Sequence, residues 1–195
     1  MSSMKPRLRF PEFTDEWQTK TLGEISTKVG SGSTPRGGSK IYKQSGVPFI
    51  RSQNVKGGKL SLDDVVFIDE SIHSSMPGSS IKPLDILLNI TGASLGRTCV
   101  VPENFVEGNL SQHVCIIRLK NAIPYFVHTV LSQPKSLDEL LKSQTGGGKE
   151  GLNFQAVRSF RLATASEPEQ QKIADFLRLV DERIEKYQKK LELLR

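Results

Sequence analysis

The 195-residue chain carries 36% hydrophobic and 25% charged residues and a net charge of +6, the make-up of a water-soluble protein with material for one core of ordinary size. No apolar run approaches the length of a membrane span and Met1-Ser2-Ser3-Met4-Lys5 opens no signal-peptide core, so a cytoplasmic protein without membrane attachment is expected. Cys99 and Cys115 lack C-x-x-C spacing and lie in apolar runs, which points to buried thiols rather than a disulfide or a metal site.

Residues 5 to 26 read as an extended arm that turns into a short helical or turn segment near Trp17. Phe10, Phe13 and Trp17 are spaced to anchor that arm on a core. From Ile25 to Leu62 there is no Asp or Glu, whereas Lys28, Arg36, Lys40, Lys43, Arg51, Lys56 and Lys59 make seven basic residues, interspersed with seven glycines. Small residues let a backbone approach a ligand. Hydroxyls and amides such as Ser33, Thr34, Gln53 and Asn54 can bond phosphate or base edges, and the cations can neutralise phosphate charge. A solvated loop over Val29 to Lys40 is the plain alternative. The glycine run there lacks the Gly-Lys-Ser/Thr ending of a phosphate-binding loop and the strand-then-helix frame of a dinucleotide fingerprint.

Strands are predicted at Val47 to Ile50, Val65 to Ile68, Leu84 to Ile90, Thr98 to Val101 and Val114 to Leu119. The glycine-bracketed turn after the third of these presents Thr91, Ser94 and Arg97, either for phosphate or base contacts or simply as a tight hairpin. Gln112 and His113 stand at the start of the last strand, where His113 could donate to a base edge or serve as a hydrogen-bonded structural histidine. Pro124 to Leu141 has helical apolar spacing broken at Pro134, which gives two short helices. A glycine loop with polar hands follows, including Lys149 and Asn153.

From Ser166 to Arg195 the apolar residues Ile173, Leu177, Val180, Ile184, Tyr187, Leu191 and Leu194 form an unbroken heptad seam, which asks for a second helix. A helix lying back on its own domain would show a wider stripe. Ser166-Glu167-Pro168-Glu169 matches a capping box in which Ser166 accepts from the Glu169 amide. Seven basic and seven acidic residues on this helix cancel, so residues 1 to 165 carry the whole net charge. A basic globular part suggests a polyanionic partner. The reading is a domain at 1–165 and a pairing helix at 166–195 whose end, in mid-heptad, meets another subunit or continues in a longer chain.

Catalytic signatures are missing. An adenine methyltransferase needs a cofactor-binding glycine motif after a strand and an Asn/Asp-Pro-Pro-Tyr/Phe tetrapeptide. A nuclease needs clustered carboxylates, and Asp85 lacks a downstream Glu-x-Lys partner. No metal-ligand cluster or Ser/His/Asp arrangement stands out. The residues argue for a binder, with a nucleotide-binding enzyme and a coiled-coil assembly protein as the alternatives.

The residues resemble one family, the specificity subunits of type I restriction-modification systems. The resemblance runs through Leu8-Arg-Phe-Pro-Glu-Phe13 with Trp17 and Leu22-Gly23-Glu24, Gly32-Ser-Thr-Pro35, Val47-Pro-Phe-Ile-Arg51, Asp85-Ile-Leu-Leu-Asn-Ile-Thr-Gly92 with Gly96-Arg97, Gln112-His113-Val114, Gly151-Leu-Asn-Phe154 and Glu169-Gln-Gln-Lys-Ile-Ala174. It implies an α+β fold: a mixed α/β target-recognition domain followed by a long C-terminal coiled-coil helix that pairs antiparallel with an equivalent helix. It also implies recognition of one half of a bipartite site in double-stranded DNA, without catalysis or a cofactor in this chain. Implied partners are modification subunits that bind S-adenosylmethionine, a restriction/motor subunit using ATP and Mg, and a second copy or second half-subunit met through the helix. Ala165 and Ser111 stand where the family often has Pro and Asn.

Overall fold

A computed structural model describes Pro6 and residues 8–142 and 151–194. In chain order its elements are β1 (Gln18–Thr21), β2 (Ser26–Ser31), β3 (Val47–Ile50), β4 (Val55–Lys56), β5 (Lys59–Leu60), β6 (Val66–Ile68), α1 (Glu70–Ser75), β7 (Ile86–Asn89), β8 (Thr98–Val100), β9 (Asn109–Leu110), β10 (Val114–Leu119), α2 (Pro124–Leu131), α3 (Pro134–Lys142), α4 (Phe154–Ser159), β11 (Arg161–Thr164) and α5 (Glu167–Glu192). The expected α+β class and the long C-terminal helix are both present.

The central sheet is antiparallel in the order β2-β10-β7-β8. Its two middle strands are buried on both faces, which is why they read as continuous apolar runs rather than alternating ones. Ile86, Leu88, Cys115 and Ile117 face a core shared with α2, α4 and the start of α5. Their neighbours Leu87, Val114 and Ile116 point the other way, onto Ile50, Val55, Val101 and Leu110. Each such side chain contributes roughly 1.5–3 kcal/mol on burial. A second sheet, β6-β3-β9, lies on that other core, with β3 and β9 parallel. Both cysteines are buried free thiols, and burial pushes each up to about 12.

Asp85 is tied down at the foot of the sheet. Its carboxylate accepts from Arg118 Nε at 2.8 Å and Nη2 at 2.7 Å and from the Lys82 amide at 2.7 Å. The pairing joins the start of β7 to the end of β10 and raises the Arg118 pKa.

Three sequence expectations are corrected. Gln18–Thr21 is a strand paired with β11, not a helical or turn segment. Val29 belongs to an edge strand, so the alternative of a solvated loop over Val29 to Lys40 does not hold at its start, which is sheet. Both strands are polar on their open side and show no apolar alternation to detect. The Ser166 side chain makes no capping bond. Glu169 instead turns back onto the N-terminal arm, accepting from Arg9 Nε at 2.6 Å and Nη2 at 2.7 Å and from Trp17 Nε1 at 3.2 Å. The arm is anchored as expected: Phe10 meets Phe176 edge-on at 5.9 Å and Trp17 meets Phe126 at 5.7 Å.

The first turns of α5 pack on the body through Gln170, Ile173 and Ala174. Beyond Leu177, which is half-buried, the seam opens to solvent: Ile184 is 48%, Leu191 60% and Tyr187 68% exposed. Phe176, Leu179 and Leu193, outside the seam, are exposed as well.

Candidate nucleic-acid interface

Strand directions bring five chain segments to one end of the central sheet. β2 and β7 both run antiparallel to β10, so their C-terminal ends meet its start. β9 leads into that same start, and β3 runs parallel to β9 and ends beside it. Backbone hydrogen bonds stitch the junction: Gly32 N to Val114 O at 3.2 Å, Ser33 N to Leu110 O at 2.8 Å, Ser111 N to Ile50 O at 2.9 Å, Ile90 N to His113 O at 3.0 Å and Leu152 N to Ile90 O at 2.8 Å. Gly32 is required here, because a Cβ would stand 1.7 Å from the Leu110 carbonyl oxygen.

Most of the candidate residues emerge from this junction. Ser33 and Thr34 follow β2, Arg51 and Gln53 follow β3, Thr91 and Ser94 follow β7, and Gln112 and His113 precede β10. Thr91 Oγ1 and His113 Nδ1 are hydrogen-bonded at 2.9 Å, so the two loops present one joined polar surface. Asn153 arrives beside them, since Gly151 bridges Thr91, and its Oδ1 caps α4 by accepting from the Ala156 amide at 2.7 Å. Exposed cations lie on segments that connect to the junction: Arg36 and Lys40 between β2 and β3, Lys56 on β4, and Arg97 after the Thr91 turn. The Arg97 guanidinium makes no hydrogen bond or ion pair with the described residues.

The structure moves other candidates away from a ligand-contacting role. Asn54 is 0% exposed, with Oδ1 accepting from the Arg51 amide at 2.9 Å and Nδ2 donating to Ser61 O and Asp64 Oδ1, both at 3.0 Å. It shapes the turn and offers no atom to a ligand. Lys28 sits opposite Arg118, toward the far end of β10, and its ammonium donates to Gly78 O. Burial, reinforced by the Arg118 charge, lowers its pKa. Lys59 pairs with Glu185 on α5. Lys149 lies outside the described residues.

Arg51 is half-buried. Its Nη2 donates to Asp64 O at 2.9 Å and its guanidinium lies 5.7 Å from the Tyr42 ring centroid. Nε has no acceptor among the described residues, so releasing this side chain toward a ligand breaks a single hydrogen bond. Gln53 donates to Asp64 as well. The acid-free window therefore ends just before a carboxylate that folds back under it.

Asn89 escaped the sequence reading of site residues. Fully buried at the end of β7, it donates through Nδ2 to Ser52 O at 2.8 Å and to Ser94 Oγ at 3.0 Å, and so ties the β3 loop to the Thr91–Arg97 turn. The available signal was one amide inside the run Ile86-Leu-Leu-Asn-Ile90.

Hydroxyls, amides and an imidazole held on sheet ends can bond base edges, the Arg97 guanidinium can fork onto a guanine edge, and the other exposed cations can meet phosphates. A loop-built polar face on a rigid sheet, joined to an amphipathic helix with an open seam, defines a binding module that carries an uncovered apolar stripe. The chain belongs to the family of type I restriction modification DNA specificity domains, which it matches over residues 14–195. It is 27% identical over 132 residues to the type I restriction enzyme EcoBI specificity subunit of Escherichia coli, covering 67% of this chain and 27% of that protein. To the EcoR124I/EcoR124II specificity subunit of the same organism it is 25% identical over 176 residues, covering 87% of this chain and 42% of the relative. The chain thus spans between about a quarter and two-fifths of the length of these curated relatives.

The fold has solved counterparts. A chain in a structure of a type I R-M system superposes with a TM-score of 0.66 at 17% identity, over 94% of this chain and 42% of that one. The HsdS subunit from Thermoanaerobacter tengcongensis gives 0.63 at 17% identity, over 93% and 40%. The type I restriction-modification S subunit from M. genitalium gives 0.60 at 20% identity, over 90% and 42%.

Proposed function

We propose that this chain reads duplex DNA, recognising one half of a bipartite target on behalf of a type I restriction-modification assembly. The observation that carries this reading is the convergence of the β2, β3, β7 and β10 loop ends into one polar surface, with exposed Arg36, Lys40, Lys56 and Arg97 on the segments that join it. The named relatives are specificity subunits, which supports the same reading. In it this chain holds no cofactor and catalyses nothing. Adenine methylation belongs to modification subunits carrying S-adenosylmethionine, and cleavage to a restriction/motor subunit with ATP and Mg. The open half of α5 pairs with an equivalent helix of a second recognition unit, which sets the spacing between the two.

Binding of the full chain to duplex DNA at several salt concentrations tests this. About four or five phosphate contacts from the exposed cations give a slope of log K against log salt of roughly −4. A slope near zero would sink the assignment.

A further inference from the structure

The α5 seam fixes which side chains flank it. With Leu177, Ile184 and Leu191 at a and Ile173, Val180, Tyr187 and Leu194 at d, the residues before each a position are Phe176, Arg183 and Lys190. The other flank, after each d position, holds Ala174, Asp181 and Gln188. Glu185 and Arg178 face the body, paired with Lys59 and Glu103. Arg183 and Lys190 lie across the helix from them. Both are exposed, and neither makes an ion pair or hydrogen bond with a described residue.

In an antiparallel pair of helices each flank meets its own counterpart. If Ile184 layers on Tyr187 of a second copy, Arg183 of each chain stands beside Lys190 of the other. Sliding one heptad either way sets Arg183 or Lys190 against itself, or sets one of them against Phe176. Each of these three registers sets cation against cation on this flank. Parallel self-pairing does no better, because it sets Arg183 against the neutral Gln188.

Resting on the reading of α5 as a pairing helix, we propose that its flank charges select a different partner. The occupant is an antiparallel amphipathic helix with an apolar seam and carboxylates seven residues apart facing Arg183 and Lys190. A second copy of this chain is discriminated against by the same two cations, since specificity between helices is set as much by repulsion of the wrong partner as by attraction of the right one.

Charge-swapped versions of the full chain supply the probe. Sedimentation equilibrium is run on wild type, Arg183→Glu, Arg183→Glu/Lys190→Glu, and an equimolar mixture of wild type with the double variant. The single variant should self-associate at least about tenfold more tightly than wild type, because the carboxylate introduced at position 183 then meets Lys190 of the other copy twice per dimer. The double variant alone should associate as weakly as wild type, and the mixture should form a heterodimer at least about tenfold tighter than either homodimer. Dimer constants that do not change across the four samples, or a wild-type homodimer as tight as the mixed pair, would overturn the proposal. Duplex-DNA binding is measured on the same samples, so failure of the recognition reading registers there and not in the dimer constants.

Discussion

Asp85 is the carboxylate at which a structural and a catalytic reading part most sharply, and Asp85→Asn separates them. The side chain is 1% exposed and meets both Nε and Nη2 of Arg118, whose side chain is 26% exposed. Removing one partner of a buried pair costs about 3–5 kcal/mol when the other charge is stranded. Arg118 retains partial access to water and a 3.3 Å bond to Ser80 O, so we expect about 2–3 kcal/mol. Equilibrium urea unfolding followed by circular dichroism should show the midpoint falling by roughly 1 M at an m-value of about 2–3 kcal/mol/M. The loss should persist at high salt, because a buried pair is weakly screened. DNA affinity at low denaturant should be retained, since the recognition loops leave the opposite end of the sheet. A midpoint change under about 0.2 M, or one abolished by salt, would refute the assignment of Asp85–Arg118 as the pair that fixes β7 on β10.

Other outcomes follow from single sites. Asn54→Ala should cost about 2–3 kcal/mol in thermal unfolding, since it leaves the Arg51 amide and the Ser61 carbonyl without their partner, whereas Arg97→Ala should stay within about 0.5 kcal/mol. Gly32→Ala should destabilise by about 3 kcal/mol or more, because its methyl meets backbone rather than a yielding side chain; a melting temperature within a degree of wild type would show that the β2–β9 junction is looser than described. Burial lowers the His128 pKa, so as pH falls through about 6.5 the unfolded chain takes up the proton first and stability is lost. Urea midpoints at pH 7.5 and 5.5 should therefore fall further for wild type than for His128→Gln, and equal falls would count against a buried neutral imidazole.

The parts of the fold legible in the sequence are those whose signal is local. β3 and β10 could be read from end to end because central strands buried on both faces are short unbroken apolar runs, and Pro134 divided the two helices where the chain has them. β1 and β2 were missed because edge strands made mostly of Gln, Thr, Ser and Lys depend on a partner far along the chain, and β11, only four residues long, forms by pairing with β1. The helix cap failed for the same reason: Glu169 had a local role available and took Arg9, 160 residues away, instead. At the candidate interface the polar turns were legible as turns. The acids that engage Gln53, Asn54 and Lys59 were not, since Asp64 lies just past the acid-free window and Glu185 lies on the helix.

In the proposed function the loop face reads sequence rather than charge alone. Selection of the full chain against a pool of duplexes with a randomised segment tests it most directly, because a side chain that bonds a base edge enriches that base, whereas phosphate contacts enrich nothing. We expect one short motif from wild type, and from Arg97→Ala the same motif with a single relaxed position and about 1–3 kcal/mol weaker binding to the wild-type consensus. A pool that emerges without a motif, or an Arg97→Ala loss of equal size on consensus and random duplexes, would contradict the account.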